Sequence, residues 1–336
     1  MKSVVVNGED LSITDIVRVA RGYAKVSLGK EVRGKIAAAQ KIVKRAIKDK
    51  QEVYGVTTGF GALSNVFISD GQRRELQRNI ILSHSAGVGD PFEEETVRAI
   101  MLLRIQGLAQ GHSVIRFNTV KTLVEMLNRG VHPLVPEKGS VGASGDLAPL
   151  AHVALVLIGE GKAVYKGKRL SGMQAMRAAH IPIIELDAGE GLSLVNGTQV
   201  MTGSGALTVY EAVRLLKTAD IAAGMSLEVL LGSNIELNEK IHAARPHNGQ
   251  LLSAENLRTL TNGSEIISSH HDCTRVQDAY SIRCCPQVHG ASKDALGYAK
   301  NVVETEINSA TGNPLIFAET GEIVSNDSVD LLPIST

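Results

Sequence analysis

The sequence predicts a mainly α protein: a bundle of long antiparallel helices with a smaller N-terminal α+β portion. Apolar residues recur at helical spacing along most of the chain, and the alternation typical of strands is almost absent. The segment 199–237 shows this spacing nearly without interruption and contains few helix breakers other than glycine. Such a segment is expected to be a core helix of a bundle.

The individual elements follow from local patterns. Residues 3–9 alternate weakly and end in Asn7-Gly8, which predicts a short hairpin containing the Val4 to Val6 run. Gly130 follows an apolar-periodic stretch and is placed to stop it. A second small hairpin is predicted at 164–168. Helical spacing predicts helices at 11–23, 31–49, 70–85, 92–111, 118–129, 199–237, 253–260 and 293–310.

Composition excludes several classes of partner. Lysine and arginine number 35, as do aspartate and glutamate, so no nucleic acid or other polyelectrolyte partner is expected. The first ten residues lack an apolar signal core, and no segment offers about 18 uncharged apolar residues for a membrane span. A cytoplasmic protein without membrane contact is therefore expected.

Cysteines and histidines do not indicate a disulfide framework or a metal site. Cys273, Cys284 and Cys285 are too few and too clustered for a framework, so reduced thiols are expected. The run from His270 to Cys273 contains metal-binding residue types, but neighbouring residues point in different directions and no second ligand pair follows. No metal is predicted.

A glycine-rich loop at residues 138–150 leads into an apolar stretch. Its three glycines permit a tight turn with close approach to the backbone. Such a turn could let the Gly145 nitrogen attack the Ala143 carbonyl carbon, with loss of two waters, one of which carries the Ser144 hydroxyl. The product is a five-membered ring with an exocyclic methylidene. Asp146 follows, where an N-cap or first-turn acid would stabilise the next helix.

An Ala-Ser-Gly triplet alone would indicate only a small-residue turn before a helix. Its flanks are more specific, because residues 139–152 read Gly-Ser-Val-Gly-Ala-Ser-Gly-Asp-Leu-Ala-Pro-Leu-Ala-His. This stretch resembles the signature of the aromatic amino-acid ammonia-lyases. The resemblance implies that Ala143, Ser144 and Gly145 form 4-methylidene-imidazol-5-one, an electrophile made from the protein itself, and that no metal or dissociable cofactor is needed.

Two further segments of the N-terminal portion match the same family. Residues 54–61, Tyr-Gly-Val-Thr-Thr-Gly-Phe-Gly, resemble its tyrosine loop, which implies that Tyr54 is the base that removes a substrate β-proton. A tyrosine can act so only if the site stabilises its phenolate. In related lyases the pair at Ser83-His84 varies with substrate, and Ser-His marks the histidine enzymes. His84 can exchange a hydrogen bond with an imidazole ring.

The remaining predicted site residues lie in two later motifs. Asn196 begins an Asn-Gly-Thr sequence, and in the family this asparagine lies beside the ring and the substrate. Residues 277–290 resemble the second family signature at every fixed position. Arg283 offers a planar fork for the substrate carboxylate. Gln277 is assigned as its polar neighbour and Tyr280 as a second hydroxyl near the ring. Steps of three residues would place these three on neighbouring parts of one helix.

Together these resemblances imply elimination of ammonia from L-histidine to give urocanate, in a homo-oligomer expected to be a tetramer. Two alternatives stay open: a phenylalanine or tyrosine ammonia-lyase or aminomutase with the same ring, and an inactive relative that serves as an assembly partner. The second alternative arises because the matches end near Ser325, where the family continues into a further helical portion. The predicted division is an N-terminal portion 1–198, a central helical portion 199–325 and a divergent tail 326–336.

Overall fold

The computed structural model describes residues 3–59, 68, 71–142, 145–270 and 275–325. These residues are mainly helical, as predicted. The helices are α1 (Ile13–Ala20), α2 (Val32–Lys48), α3 (Arg73–His84), α4 (Glu94–Ala109), α5 (Phe117–Arg129), α6 (Leu147–Leu157), α7 (Gly172–Ala178), α8 (Glu190–Val195), α9 (Gln199–Val229), α10 (Glu239–Ala243), α11 (Asn248–Thr261), α12 (Glu265–Ser268), α13 (Tyr280–Arg283) and α14 (Cys285–Ile307).

Short strands lie between these helices. They are β1 (Val4–Val6), β2 (Val26–Leu28), β3 (Val88–Pro91), β4 (Val131–Pro133), β5 (Pro136–Lys138), β6 (Lys162–Tyr165), β7 (Lys168–Ser171), β8 (Leu315–Phe317) and β9 (Glu322–Val324). They form small sheets in the orders β1-β2, β3-β5, β4-β6-β7 and β8-β9. The β6-β7 pair is antiparallel, which confirms the hairpin predicted at 164–168.

The described chain forms two compact units. The first contains Met1–Leu207 and Val303–Thr336, and the second contains Thr208–Val302. α9 carries the chain from the first unit into the second, and α14 returns it. The division at residues 198 and 325 predicted from the sequence stays a prediction, and its tail, 326–336, lies outside the described residues.

The first unit is built around α4, which is buried continuously from Val97 to Gln106. A helix that is apolar around its whole circumference belongs inside a fold, and α1 and α5 pack against this one. Two arginines and a glutamine are part of the buried stretch. α4 therefore brings polar groups into the interior, where each requires a hydrogen-bond partner.

Local sequence signals place the other helices of this unit. α2 buries Ile36, Ala39 and Val43 on one face, as its apolar spacing predicts. α5 ends at Gly130, which adopts φ 74° and closes the helix in the left-handed conformation. Ser12 caps α1 by accepting a hydrogen bond from the Asp15 amide.

The N-terminal hairpin prediction is wrong. β1 pairs in parallel with β2, with Val4 opposite Val26 and Val6 opposite Leu28. The intervening α1 makes the connection between the parallel strands, which a tight turn could not make. The Asn7 side chain instead accepts hydrogen bonds from the backbone amides of Glu9 and Asp10. A turn-forming dipeptide thus closes a local Asx turn and not a hairpin.

The second unit contains a helix that is shorter than predicted. α9 ends at Val229, because Leu231 adopts φ 51° and the Gly232 amide bonds back to the Leu227 carbonyl. A left-handed residue at this point is a standard helix stop, although leucine seldom occupies it. Only a short 3-10 turn, Ile235–Leu237, remains of the rest of the predicted helix.

A buried polar cluster joins three helices of the second unit. The Asp220 carboxylate of α9 accepts hydrogen bonds from Asn256 of α11 at 2.7 Å and from His289 of α14 at 2.9 Å. It also pairs with Lys293, which donates to Ser253 at 2.7 Å. Burial opposes ionisation, but the bonds from Asn256, Lys293 and His289 hold the pKa of Asp220 below its usual value.

The sequence predicts neither a disulfide framework nor a membrane-spanning helix, and the structure bears on these two predictions only within the described residues. Cys284 and Cys285 are free thiols, whereas Cys273 lies outside that part. None of the helices with described residues is long and apolar enough to cross a membrane.

Candidate active site

Tyr54 begins a tight turn that is closed by a buried threonine. The Thr57 hydroxyl accepts a hydrogen bond from the Val53 amide at 2.8 Å and donates one to the Gln51 carbonyl at 2.6 Å. Thr57 is fully buried, while Tyr54 itself is half-buried. The turn therefore has an internal polar anchor, which holds the tyrosine backbone in place.

Gln77 of α3 ties this turn to α8. Its side-chain amide donates to the Gly55 carbonyl at 3.2 Å, and its carbonyl oxygen accepts from the Gly191 amide at 2.9 Å. The side chain is fully buried. One glutamine thus satisfies backbone groups from two segments that lie far apart in the sequence, and it fixes the distance between them.

His84 is the last residue of α3 and lies two turns beyond Gln77, on the same helix face. Its Nδ1 atom is 2.8 Å from the Ile80 carbonyl oxygen and 3.1 Å from the Ser83 hydroxyl. A carbonyl can only accept, so these contacts orient the imidazole ring. α3, the helix that anchors the turn at Tyr54, therefore also carries His84, the histidine predicted to bind the substrate.

The predicted ring-forming triplet is described only at its last residue, because Ala143 and Ser144 lie outside the described residues. Gly145 adopts φ 87°, and a Cβ atom placed on it would come within 2.5 Å of the Gly197 carbonyl oxygen. The Asp146 amide donates to that same carbonyl at 2.7 Å. Only glycine fits at residue 145, so the backbone of the loop packs directly on the Asn-Gly-Thr motif.

Asp146 occupies the N-cap position of α6, as predicted, but its side chain does not cap that helix. Its carboxylate instead accepts the backbone amides of Val200 and Met201, at 2.9 and 3.0 Å, together with the Ser140 hydroxyl at 2.6 Å. The buried carboxylate thus stabilises the N-terminus of α9, where the helix dipole favours negative charge. It locks the ring-forming loop onto that helix.

Asn196 follows α8 as its C-cap residue, and its amide donates to the Leu192 carbonyl at 2.9 Å. Its own carbonyl accepts a hydrogen bond from Arg104 of α4 at 3.0 Å. The same guanidinium binds the Gln199 side-chain oxygen at 2.6 Å and the Ser193 carbonyl. Burial lowers the pKa of Arg104 to about 9.

The other end of α8 is held by Glu190. This fully buried carboxylate accepts the Arg116 backbone amide at 3.0 Å, the Arg116 Nε at 2.9 Å and the Thr119 hydroxyl at 2.6 Å. The Asp187 amide donates to it as well, at 2.9 Å. Both ends of the short helix that leads to Asn196 are therefore fixed by buried charged side chains.

In the second unit, Gln277 and Arg283 line one cleft of about 330 Å³. Carboxylates, an imidazole and two guanidinium groups share this cleft with apolar side chains. Its lining is Leu231, Ser233, Asn234, Ile235, Glu236, Ile241, Ile267, His270, Arg275, Val276, Gln277, Asp278 and Arg283. The structure thus brings two of the predicted substrate-binding residues together.

Arg283 and Tyr280 form a stacked pair, with the guanidinium carbon 3.9 Å from the ring centroid. Tyr280 is 72% exposed. The Arg283 Nε atom is buried and has no hydrogen-bond partner among the described residues. The helical arrangement predicted for residues 277–283 is only partly correct, because α13 begins at Tyr280 and Gln277 precedes it in a segment without regular secondary structure.

Two carboxyl groups of the cleft, those of Glu236 and Asp278, are close neighbours. Asp278 accepts the Ser233 amide at 2.6 Å and lies 3.4 Å from an Arg275 nitrogen. Burial, together with the nearby Asp278, raises the pKa of Glu236. Within the described ranges, no group of three histidine, cysteine, aspartate or glutamate side chains is arranged to hold a metal ion. His271, Asp272 and Cys273 lie outside those ranges.

Sequence reasoning missed three residues that position the site: Gln77, Arg104 and Glu190. The available signal was weak in each case. Arg104 is a charged residue inside a strongly apolar stretch of α4, and such a residue is seldom buried without a specific partner. That pattern marks a position that requires explanation, although it does not identify the partner.

Comparison with known proteins gives a consistent result. A family model described as aromatic amino acid lyase matches residues 11–334. The chain is 50% identical over 335 residues to a histidine ammonia-lyase of Alkaliphilus oremlandii, a match that covers 100% of this chain and 66% of that relative. The chain thus spans slightly less than two thirds of the length of such relatives.

Two solved structures are also similar. One is the phenylalanine aminomutase of Pantoea agglomerans, with a TM-score of 0.91 and 36% identity, covering 97% of this chain and 66% of that one. The other is the histidine ammonia-lyase of Trypanosoma cruzi, with a TM-score of 0.87 and 38% identity, covering 97% and 60%. The fold, the motifs and the family match agree, and the chain belongs to the aromatic amino acid lyase family.

Proposed function

We propose that this protein is a carbon-nitrogen lyase that eliminates ammonia from L-histidine to give urocanate. The observation that carries the proposal is the packing of Gly145 on Gly197, in which a Cβ atom would come within 2.5 Å of a carbonyl oxygen. A loop held this tightly is what backbone cyclisation at residues 143–145 requires. The chain is 50% identical to two histidine ammonia-lyases, and this similarity supports L-histidine as the substrate.

The residues around the triplet fit a methylidene-imidazolone group. Gly145 has the positive φ and the missing side chain that a compressed backbone needs, and Asp146 ties the loop to α9. Once formed from Ala143, Ser144 and Gly145, the group supplies an electrophile that ordinary side chains lack.

The chain's own side chains then have distinct proposed roles. The Tyr54 hydroxyl oxygen takes the substrate β-proton. Arg283 binds the substrate carboxylate through its planar fork, with Gln277 as a polar neighbour. Tyr280 supplies a second hydroxyl, Asn196 donates and accepts hydrogen bonds beside the substrate, and His84 exchanges a hydrogen bond with the imidazole ring.

The proposal includes assembly into a homo-oligomer, expected to be a tetramer, and a cytoplasmic location. Apolar side chains on α9 support assembly, since Leu215, Ile221, Met225 and Val229 are all exposed in the single chain. Light scattering after gel filtration measures the number of subunits. Cell fractionation tests the location.

The decisive experiment combines mass spectrometry with an ultraviolet assay for urocanate. The peptide that contains residues 143–145 should have lost two waters in the wild-type chain and at most one in a Ser144→Ala variant, which has no hydroxyl to eliminate, and only the wild type should form urocanate from L-histidine. Equal rates from the two chains would exclude the ring mechanism. An unmodified wild-type peptide would favour the inactive relative that serves as an assembly partner.

A second candidate function is an aminomutase or lyase acting on phenylalanine or tyrosine. The similarity to the Pantoea agglomerans phenylalanine aminomutase, with its TM-score of 0.91, favours it. Incubation of the chain with histidine, phenylalanine and tyrosine separates the two candidates. Acrylate products from the last two substrates, or a β-amino acid, would replace the histidine assignment.

A further inference from the structure

α4 buries two arginines that are alike in exposure and different in surroundings. Arg98 is 2% exposed and Arg104 is 3% exposed. Arg98 donates to the Val19 and Leu127 carbonyls and to the His132 ring, and it stacks on Tyr23 at 4.3 Å. Its cluster also includes a carboxylate, because Glu94 accepts from the Tyr23 hydroxyl.

Arg104 has only neutral acceptors. It binds the carbonyls of Ser193 and Asn196 and the Gln199 side-chain oxygen, and no ion pair with a described carboxylate is formed. Its Nε atom has no hydrogen-bond partner among the described residues. A buried cation without a counter-ion is costly, and an apolar side chain of similar volume would avoid that cost. Stability alone does not explain an arginine here.

The backbone that Arg104 holds is the backbone on which the ring-forming loop packs. Its three acceptors lie on either side of Gly197, at the end of α8 and the start of α9. A Cβ atom on Gly197 would come within 2.5 Å of an Arg104 nitrogen, and a Cβ atom on Gly145 would come within 2.5 Å of the Gly197 carbonyl oxygen. The Arg104 guanidinium therefore lies against Gly197, and Gly145 of the ring-forming loop packs against the same glycine.

We propose that Arg104 is a positioning residue for ring formation: its guanidinium holds the turn at residues 193–199 as the rigid surface that compresses the ring-forming loop. The inference rests on the proposed function, since it concerns the same ring. In the step that depends on it, a bond forms between the Gly145 nitrogen and the Ala143 carbonyl carbon. The Ala143 oxygen leaves as water with the amide hydrogens of Ser144 and Gly145.

A second water then takes the Ser144 hydroxyl and that residue's α-hydrogen, which leaves the methylidene. Neither step needs an oxidant or a metal. The nucleophile must be held against the carbonyl carbon, and small displacements of reacting atoms reduce such rates strongly. Loss of the Arg104 fork would let the turn relax and the loop open.

The test compares Arg104→Met with Arg98→Met, which removes the other buried guanidinium of the same helix. For each full-length chain, mass spectrometry gives the dehydrated fraction of the peptide containing residues 143–145, and circular dichroism gives helix content and Tm. We expect Arg104→Met to reduce the dehydrated fraction about tenfold or more. Arg98→Met should lower Tm and still dehydrate as the wild type does.

Equal dehydration in folded Arg104→Met and wild type would overturn the inference, as would an equal loss in the two methionine variants at equal Tm. If Arg104→Met does not fold, the Arg104→Lys variant tests the inference in its place. Lysine keeps the positive charge and lacks the planar guanidinium that binds several acceptors at once. A folded lysine variant with reduced dehydration supports the inference, and one with wild-type dehydration overturns it. An open tripeptide in the wild type would instead overturn the proposed function itself.

Discussion

The predicted site residues of the first unit are held very differently from those of the second. Around Tyr54, Gly145 and Asn196, buried polar side chains bind backbone groups from distant segments. In the second unit, Gln277 and Tyr280 are exposed and Arg283 stacks on an exposed ring. The first arrangement fixes a backbone, whereas the second presents side chains to a cleft. Substitutions should therefore affect folding in the first unit and ligand binding in the second.

The largest expected effect comes from Asp146→Ala. The substitution leaves the Ser140 hydroxyl and two amides at the start of α9 without an acceptor. We expect a loss of about 3–5 kcal/mol in the free energy of unfolding, measured by urea denaturation. Gln277→Ala in the second unit is the control and should change that free energy by less than about 0.5 kcal/mol. Similar losses in both variants would remove the distinction between the units.

Acid should also weaken the first unit through His132. Arg98 donates to its Nε2 at 2.9 Å, and burial lowers the pKa of His132 from 6.5 to about 4. Below pH 6.5 the unfolded chain binds a proton that the folded chain does not. The stability from this histidine is therefore fully present above pH 6.5 and is lost as the pH falls to about 4, a change of about 3 kcal/mol.

Urea denaturation at several pH values between 7 and 4 measures this loss. His132→Gln should flatten the dependence of stability on pH, because glutamine does not titrate. His247→Gln, at an exposed histidine of the second unit, should leave the dependence as it is in the wild type. An unchanged slope in the His132 variant would contradict the assignment.

Arg283→Lys should affect binding more than folding. Lysine keeps the charge and loses the planar fork that binds a carboxylate at two points. In a Ser144→Ala background, which prevents turnover, calorimetry should show about tenfold weaker binding of L-histidine, or about 1.4 kcal/mol. Arg275→Lys, at a neighbouring arginine of the same cleft, should bind as the background does. A large loss of stability without a change in affinity would contradict the comparison.

The smallest expected effect is that of Glu236→Gln. Burial and the nearby Asp278 raise the pKa of Glu236, so the folded chain retains a proton that the unfolded chain releases. This contribution to stability is present below pH 4.5 and is lost as the pH rises through the raised value. Glutamine avoids the loss, so Tm at pH 7 should rise by about 1–2 °C.

Thermal scans at pH 7 and pH 4 measure the effect of Glu236→Gln, which should vanish at the lower pH. Glu239→Gln, at an exposed carboxylate of α10, is the matched control and should leave Tm unchanged at both pH values. A lower Tm for Glu236→Gln at pH 7 would show that the ionised carboxylate stabilises the cleft.

Much of the fold could be predicted because helices are recognised by patterns of a few residues. The apolar face of α2 and the stop at Gly130 are examples. The early end of α9 could not be predicted, because a leucine in the left-handed conformation has no sequence signal. The parallel pairing of β1 with β2 was missed for a related reason, since it depends on how α1 folds back and not on the turn residues near Asn7.

The candidate site, too, could be predicted only in part from the sequence. Resemblance to the family's signatures predicted Gln277 and Arg283 as site residues, and the structure places both in one cleft. It also identified Gly145, whose close contact with Gly197 agrees with the need for glycine. The residues that hold these motifs were not identified, because glutamine, arginine and glutamate carry no sign of their partners.

The sequence by itself determined the family and the approximate positions of several long helices, since periodicity and motifs are properties of neighbouring residues. Tertiary structure alone decided that Asp146 binds the start of α9, 54 residues away, and that Arg104 binds the Asn196 carbonyl, 92 residues away. A buried polar side chain bonds to whichever backbone groups the fold brings beside it. That choice depends on the packing of the whole unit.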